Sequence, residues 1–497
     1  MEVALAYDHR TSFAMTLTDL ALNFAANIRR QPVAFSGRVK DPVLLRQLLI
    51  GLHRNILSDL RWHDPDEWRR ILDPVITVHH DQIFFEAFSA DQSSYARLSA
   101  PLDAFEVEGE TRYGTTNIDF NAGLLTALQN LRSSRRTSLR VGAGGLGVAT
   151  TIGAATLDHF ERKVDVPDEW VKGFLQVQGA LAIRPFVFDV PPEDLLTLIA
   201  YFQENKPPSL PHGLRYELRP DQPIAAVLEP WDKRFTLRGT PYTGYERTVR
   251  VWGRQRLALL LDVLPYADRV TVGVLGRGLP HLYVCHCGPY RFTLVLSGWT
   301  RQDWATDAAF DLLAPRVALD PQRADRVYAY LGEHLAAKAS EIAANTSVPA
   351  REVEQALFQL CRAGRAMVDP ISGRYRLREL FGDTLDMRSL FAPDPRLAVA
   401  EGIVAASGVT LRDVTDADHD PKGRHEARAD ATVRDPSGAT YEAAVAVDET
   451  GRLRFGRCEC PFFQVNLISR GPCEHLLAAT LALSAGQAAE VLTQESA

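Results

Sequence analysis

The sequence predicts a multidomain α+β chain: repeated β-α-β-β units in mixed sheets, then three helices with a β-hairpin, then a small hairpin-helix module near the end. Three observations predict it. Short apolar runs of strand length alternate with helix-period stripes up to about residue 315. Proline falls away between Pro321 and Pro349, where helical patterns follow one another. From residue 426, alternating segments lead into paired cysteines and an apolar helix. At 497 residues, 46% hydrophobic and 24% charged, the chain has the composition of an ordinary globular protein and is too long for one core, so about two to four domains are expected.

In residues 1–315, 13–30 read as a helix with Phe13, Leu17, Leu20 and Phe24 on one stripe. The recurring order of strand, helix and further strands follows. Val33–Phe35 precedes a helix over Pro42–Leu60 and strands Val75–His79 and Ile83–Phe88. Ile118–Phe120 precedes a helix carrying Leu124, Leu128 and Leu131, then strand Leu139–Val141. Val249–Val251 precedes the face Leu257, Leu260, Leu261 and Leu264, then strand Val270–Val274, and Phe186–Val190 with a helix over Pro191–Tyr201 makes one further copy. The periods exceed those of common solenoid arrays, so divergent duplication is the better account.

This region offers no catalytic constellation. Gly142–Gly147 spells GxGxxG after a strand, but the β-branched VATTIGAATL behind it supplies no clear helix N-terminus for a pyrophosphate, and a turn between strands accounts for it. Cys285 and Cys287 alternate with His286 near His281, on one face of a strand with Tyr283; a core strand explains them better than half a metal site. Ser297-Gly298 lacks the glycine that precedes a nucleophile elbow. No catalytic residue and no cofactor-binding loop is assigned, and the chain reads as non-enzymatic.

Residues 321–380 give helices over Arg323–Ala337, Ser340–Asn345 and Pro349–Ala363, then hairpin strands Ala366–Val368 and Arg374–Leu377 around Asp369–Gly373. This layout resembles the winged helix-turn-helix family. Nine Lys and Arg face seven Asp and Glu here, so the module carries +2 while the remainder of a chain of net charge −7 carries −9. The resemblance implies either DNA reading or protein docking. For DNA, Arg374, Arg376 and Arg378 alternate along one side of the wing, where they can meet phosphates, and Gln355 and Gln359 stand on the third helix to contact bases. Glu352 and Glu354 on that same helix oppose a phosphate backbone, which suits protein docking equally well.

Residues 395–485 close the chain. Ala398–Ala406 reads as a helix, Val409–Val414 as a strand, and the acidic stretch around Asp418, His419 and Asp420 as a solvated loop. Strands Tyr441–Val447 and Leu453–Arg457 flank the turn Asp448–Gly451 and lead into Cys458-Glu459-Cys460; twelve residues later comes Cys473-Glu474-His475, then the helix Leu476–Leu483. Three of six cysteines lie within sixteen residues, and four soft or borderline ligands in two tight pairs are what a tetrahedral Zn2+ requires. In extended chain, residues two apart point the same way, so Cys458 and Cys460 can grip one ion and Cys473 with His475 can close the shell. With four protein ligands no position stays open, so the site is expected to be structural.

CxC followed by CxH, with a hairpin before and a helix after, resembles the SWIM zinc finger over about residues 440–485. The resemblance implies Zn2+ binding and contact with DNA or protein, and no reaction. Bacterial SWIM proteins of this layout resemble components of systems built around a MoxR-type AAA+ ATPase and a von Willebrand A partner. Two function classes therefore stand open: a zinc-binding adaptor for a protein partner, and a DNA-binding transcriptional regulator using the winged helix and the finger. The acidic balance speaks against a general nucleic-acid coat. No apolar run reaches membrane-spanning length and the N-terminus MEVALAYDHR lacks a signal peptide's apolar core, so no membrane contact and a cytoplasmic location are expected. No small-molecule substrate is indicated.

Overall fold

The computed structural model of the chain describes residues 3–5, 12–15, 19–25, 33–58, 74–117, 133, 136–142, 164–166, 168–183, 185–209, 212–243, 246–276, 279–297, 304, 310–313, 320–380, 394–417, 426–448, 450–466, 468 and 470–494. The first part holds β1 (Val3–Leu5), β2 (Ser12–Met15), β3 (Asp19–Ala25), β4 (Phe35–Val39), α1 (Pro42–Ile56), β5 (Val75–Val78), β6 (Gln82–Phe88), β7 (Ser94–Pro101), β8 (Phe105–Val107), β9 (Gly114–Asn117) and β10 (Arg136–Gly142). After β11 (Val164–Val166) and α2 (Asp168–Leu181) come β12 (Phe186–Val190), α3 (Pro192–Glu204), β13 (Leu214–Leu218), β14 (Ala225–Leu228) and β15 (Lys233–Thr236). Then follow β16 (Arg247–Val251), a 3-10 turn at Arg254–Leu260, β17 (Arg269–Val274), β18 (His281–Cys287) and β19 (Tyr290–Leu296).

Residues 186–296 run through strand, helical segment and three strands twice. The first strand of each set leaves its own set: β12 pairs with β17, and β16 with β13. The same exchange joins β4 to β10, while β9 pairs with β5. The result is an eight-stranded sheet ordered β12-β17-β18-β19-β7-β6-β5-β9, a four-stranded sheet β15-β14-β13-β16 and a five-stranded sheet β2-β3-β10-β4-β8. Helix α1 starts cleanly because Asp41 accepts from the Leu44 amide at 2.9 Å and Pro42 fits the first turn; it then buries Leu45, Leu48, Leu49, Leu52 and Ile56. Burying each such side chain is worth about 1.5–3 kcal/mol.

Three sequence expectations are corrected in this part. The helix expected over 13–30 is instead β2 and β3, because Asp19–Ala25 pairs along its whole length with β10; sheet pairing outweighs a local helical stripe. The first strand of the next unit is Phe35–Val39, later than the expected 33–35. The helix expected through Leu257–Leu264 is a pair of 3-10 turns, Arg254–Leu260 and Leu264–Tyr266, and Pro265 denies an α-helix the amide it needs there. The strand at 118–120, the helix at 124–131, residues 143–147 of the glycine run and the 418–420 loop lie outside the described residues.

Cys285 and Cys287 are fully buried on β18 beside Tyr283, in the core expected of them. Burial, with Asp268 adding to it, pushes the Cys287 thiol up to about 12. Elsewhere in the core, Asp91 and Arg256 pair at 2.8 Å with almost no solvent contact. Burial alone would raise the Asp91 carboxyl, but Arg256 and the Ser93 and Ser89 hydroxyls outweigh it and hold it below the usual carboxylate range. A depressed folded value means the stabilisation is present above an unfolded value of about 3.9 and is lost as pH falls. Asp91→Asn is therefore expected to lower the unfolding midpoint near neutrality and to flatten its fall under acid; a pH profile parallel to wild type would count against this pair.

The second part begins with α4 (Pro321–His334), β20 (Ala336–Lys338), α5 (Ala339–Thr346), α6 (Ala350–Arg362), β21 (Ala366–Asp369) and β22 (Arg374–Leu377), the strands ordered β20-β22-β21. Then come α7 (Pro395–Ala405), β23 (Val409–Ala417), β24 (Glu426–Arg434), β25 (Thr440–Asp448), β26 (Leu453–Cys458), α8 (Pro461–Asn466) and α9 (Glu474–Gln494). Ala427, Ala429, Ala431 and Val433 bury one face of β24, and these small side chains let α9 lie close on the sheet with Leu476, Leu477 and Leu483 inward. One apolar core runs from Phe174 of α2 through Leu357 and Phe358 of α6 to Leu476 of α9. Among the described residues no helix is long and apolar enough to cross a membrane.

Candidate metal centre and the neighbouring arginines

The turn before β26 sets the register of the hairpin that carries the first ligands. Asp448 accepts from the amides of Thr450 and Arg452 at 3.0 and 3.1 Å and from the Thr450 hydroxyl at 2.6 Å, while Gly451 takes φ +74°. Cys458 then falls opposite Ala443 at the end of β26, and Cys460 immediately precedes α8. Cys473 stands just before α9 and His475 in its first turn. The ligand atoms of all four residues lie within 4.8 Å of one another, and none of the four is more than 3% exposed.

The chemistry of this pocket fits Zn2+. Both ring nitrogens of His475 are buried without a hydrogen-bond partner, at about 1–3 kcal/mol for each such group, and a cation at the centre would satisfy one of them. The three cysteines are free thiols. The Cys460 amide donates to Cys458 Sγ and the Phe463 amide to Cys460 Sγ, both at 3.4 Å, and such bonds favour thiolates. Hydrogen bonding with Cys458 first, and Cys473 next, draws the Cys460 thiol far below its ordinary value, while the same sharing pushes Cys473 up. Three sulfurs and one imidazole would hold Zn2+ with four donors from the chain alone, the number a structural site needs. Gln464 ties its amide to the Cys458 carbonyl at 2.8 Å, and the Tyr441 ring lies 4.4 Å from that of His475. Arg452 donates to the Ala182 carbonyl at 2.7 Å, so the same hairpin turn is fixed to the end of α2.

The arginines expected on an exposed wing are placed differently. Arg376 and Arg378 are engaged by acids just before β6 and on it, and Arg374 by the segment before the hairpin. Arg378 meets Glu86 at 2.6 Å with both side chains fully buried, and Glu86 also accepts from the Tyr95 hydroxyl at 2.5 Å. Arg376 holds both oxygens of Asp81 at 2.7 and 2.8 Å. Arg374, half-exposed, bonds Glu341 at 2.9 Å and the Ala336 carbonyl at 3.0 Å. From the sheet, Arg97 reaches the Val368 carbonyl at 3.3 Å, and His79 the Leu335 carbonyl at 3.2 Å. The phosphate role expected of Arg376 and Arg378 is thus corrected: their charges are neutralised inside the protein. Helix α6 is enclosed by α4 and α5 on one side and α2 on another. A Cβ on Gly179 of α2 would stand 3.2 Å from Arg362 Cδ. Gln359 is exposed and Gln355 only partly.

The carboxylates Asp81 and Glu86 went unmarked in the sequence reading because they lie almost 300 positions from their arginines, with no local pattern linking them.

The family model of the SWIM zinc finger matches residues 444–484, which include all four ligand positions. Comparison with curated proteins gives no match. Among solved structures, the chain is similar to Proliferating Cellular Nuclear Antigen from Entamoeba histolytica, with a TM-score of 0.36 and 12% identity over 53% of this chain and 98% of that one. PCNA from Thermococcus kodakaraensis gives a TM-score of 0.35 and 14% identity over 53% and 98%. At that level of superposition the likeness carries no argument.

Proposed function

We propose that the chain is a non-enzymatic, zinc-binding adaptor for a protein partner, in which the SWIM module is a structural fastening and residues 321–380 serve as a winged helix-turn-helix of the docking kind. The observation that carries this reading is the burial of Arg376 and Arg378 against Asp81 and Glu86, which leaves Arg374 alone of the three expected arginines half-exposed to meet a phosphate. The helix, strand, helix, helix, hairpin order supports the winged-helix assignment. A shell filled by four protein donors supports a structural metal over a catalytic one. The proposed partner is the MoxR-type AAA+ ATPase with a von Willebrand A protein that the SWIM resemblance implies, and the proposed location is cytoplasmic.

A salt series of duplex-DNA binding tests this against the regulator reading. Three arginines at phosphates would give a slope of log K against log salt of about −3, and strong binding at about 50 mM salt. The adaptor is expected to show neither, in wild type or in an Arg374→Ala, Gln359→Ala variant. Tight, steeply salt-dependent binding that weakens in the variant would overturn the adaptor reading and favour the regulator.

A further inference from the structure

We propose that Arg396, outside the segment matched by the zinc-finger family, is the positioning residue that keeps the two halves of the metal shell together. The proposal rests on the zinc reading of the four donors. Arg396 sits in the first turn of α7, and its Nη1 donates to the Arg470 carbonyl at 2.9 Å and the Pro472 carbonyl at 3.1 Å. Those carbonyls belong to the turn that ends in Cys473. The same guanidinium lies over the Phe462 ring, 4.9 Å from its centre, and Phe462 is the second residue after Cys460. Asp394 holds the group from behind, accepting from Nε at 2.9 Å and from Nη2 at 2.5 Å, while its other role is to cap α7 through the Arg396 amide. One planar cation therefore touches the segment after the first ligand pair and the segment before the second.

Groups that orient metal ligands from outside the shell change metal affinity by about 10–100-fold when removed. A fork of donors on a flat face can bond two carbonyls and stack on a ring at once, which a lysine ammonium cannot. It follows that α7, although upstream of the matched segment, belongs to the zinc module.

The test uses the full chain loaded with Zn2+, following release to a chromophoric chelator, and the Co2+ form, whose absorption reports the ligand field. Arg396→Ala is expected to release Zn2+ about 10–100-fold faster and to alter the Co2+ spectrum, with Arg396→Lys between it and wild type. Arg412→Ala, which removes an exposed pair with Glu442 on the sheet that also carries Cys458, is expected to behave as wild type. Unchanged release from Arg396→Ala, or equal acceleration in Arg412→Ala, overturns the proposal. Should Arg396→Ala fail to accumulate, Phe462→Leu carries the test: faster release supports the proposal, and wild-type release sinks it. A wild-type chain that takes up no Zn2+ would instead remove the metal reading itself, which is distinguishable from equal release by loaded proteins.

Discussion

Glu86→Ala is expected to be among the most damaging single substitutions in the chain, costing about 3–5 kcal/mol, because it strands the Arg378 guanidinium in a site with no access to water. Arg378 lies over the Phe174 ring of α2, and two of its guanidinium nitrogens already lack hydrogen-bond partners, so the lost carboxylate has no substitute nearby. Tyr95 loses its acceptor at the same time. Glu86→Gln keeps an acceptor and is expected to cost less. Replacing both partners, Glu86→Met with Arg378→Met, is expected to recover most of the loss, since a buried pair is expensive to break and cheap to replace by apolar groups. Thermal or urea unfolding of wild type, Glu86→Met, Arg378→Met and the double variant reads the coupling directly, and additive effects across that cycle would show that the pair does not join sheet and hairpin.

Removing Zn2+ is the second large effect. A structural site of this kind contributes on the order of 10 kcal/mol to its module, and here the module is tied into the rest of the molecule. Chelation is expected to open the stretch from β26 to the start of α9 to proteolysis, and to loosen α2 and α6 through the lost bond from Arg452 to Ala182 and the shared apolar core. Cleavage confined to other segments, or an unchanged digestion pattern, would contradict a fastening role.

The parts of this structure that could be read from the sequence are those governed by short-range chemistry. The cysteine pairs and the Asp448–Gly451 turn are local patterns and stand where the spacing placed them, while the helix expected over Leu476–Leu483 runs on to Gln494. The succession of helices after Asp320, whose side chain caps α4 by accepting from the Gln322 amide, is local as well, whereas the expected β-α-β-β unit lacks a strand, since three strands follow each helical segment in residues 186–296. What escaped the reading depends on partners distant in sequence. Asp19–Ala25 is a strand because β10 lies beside it. Arg376 and Arg378 alternate in sequence as an exposed pair of cations would, yet Asp81 and Glu86 engage them, and no spacing near the hairpin reveals those partners. Arg396 escaped notice for the same reason: its carbonyl partners lie more than seventy residues on. Local pattern identified the ligands, and only the packing shows what holds them.

The most direct measurement is the metal content of the purified full-length chain beside its Cys473→Ser variant. One zinc per chain in the wild type, lost or loosely held in the variant, is the expected result. A wild type free of zinc, or a variant that keeps it equally well, would contradict the four-ligand site on which the account stands.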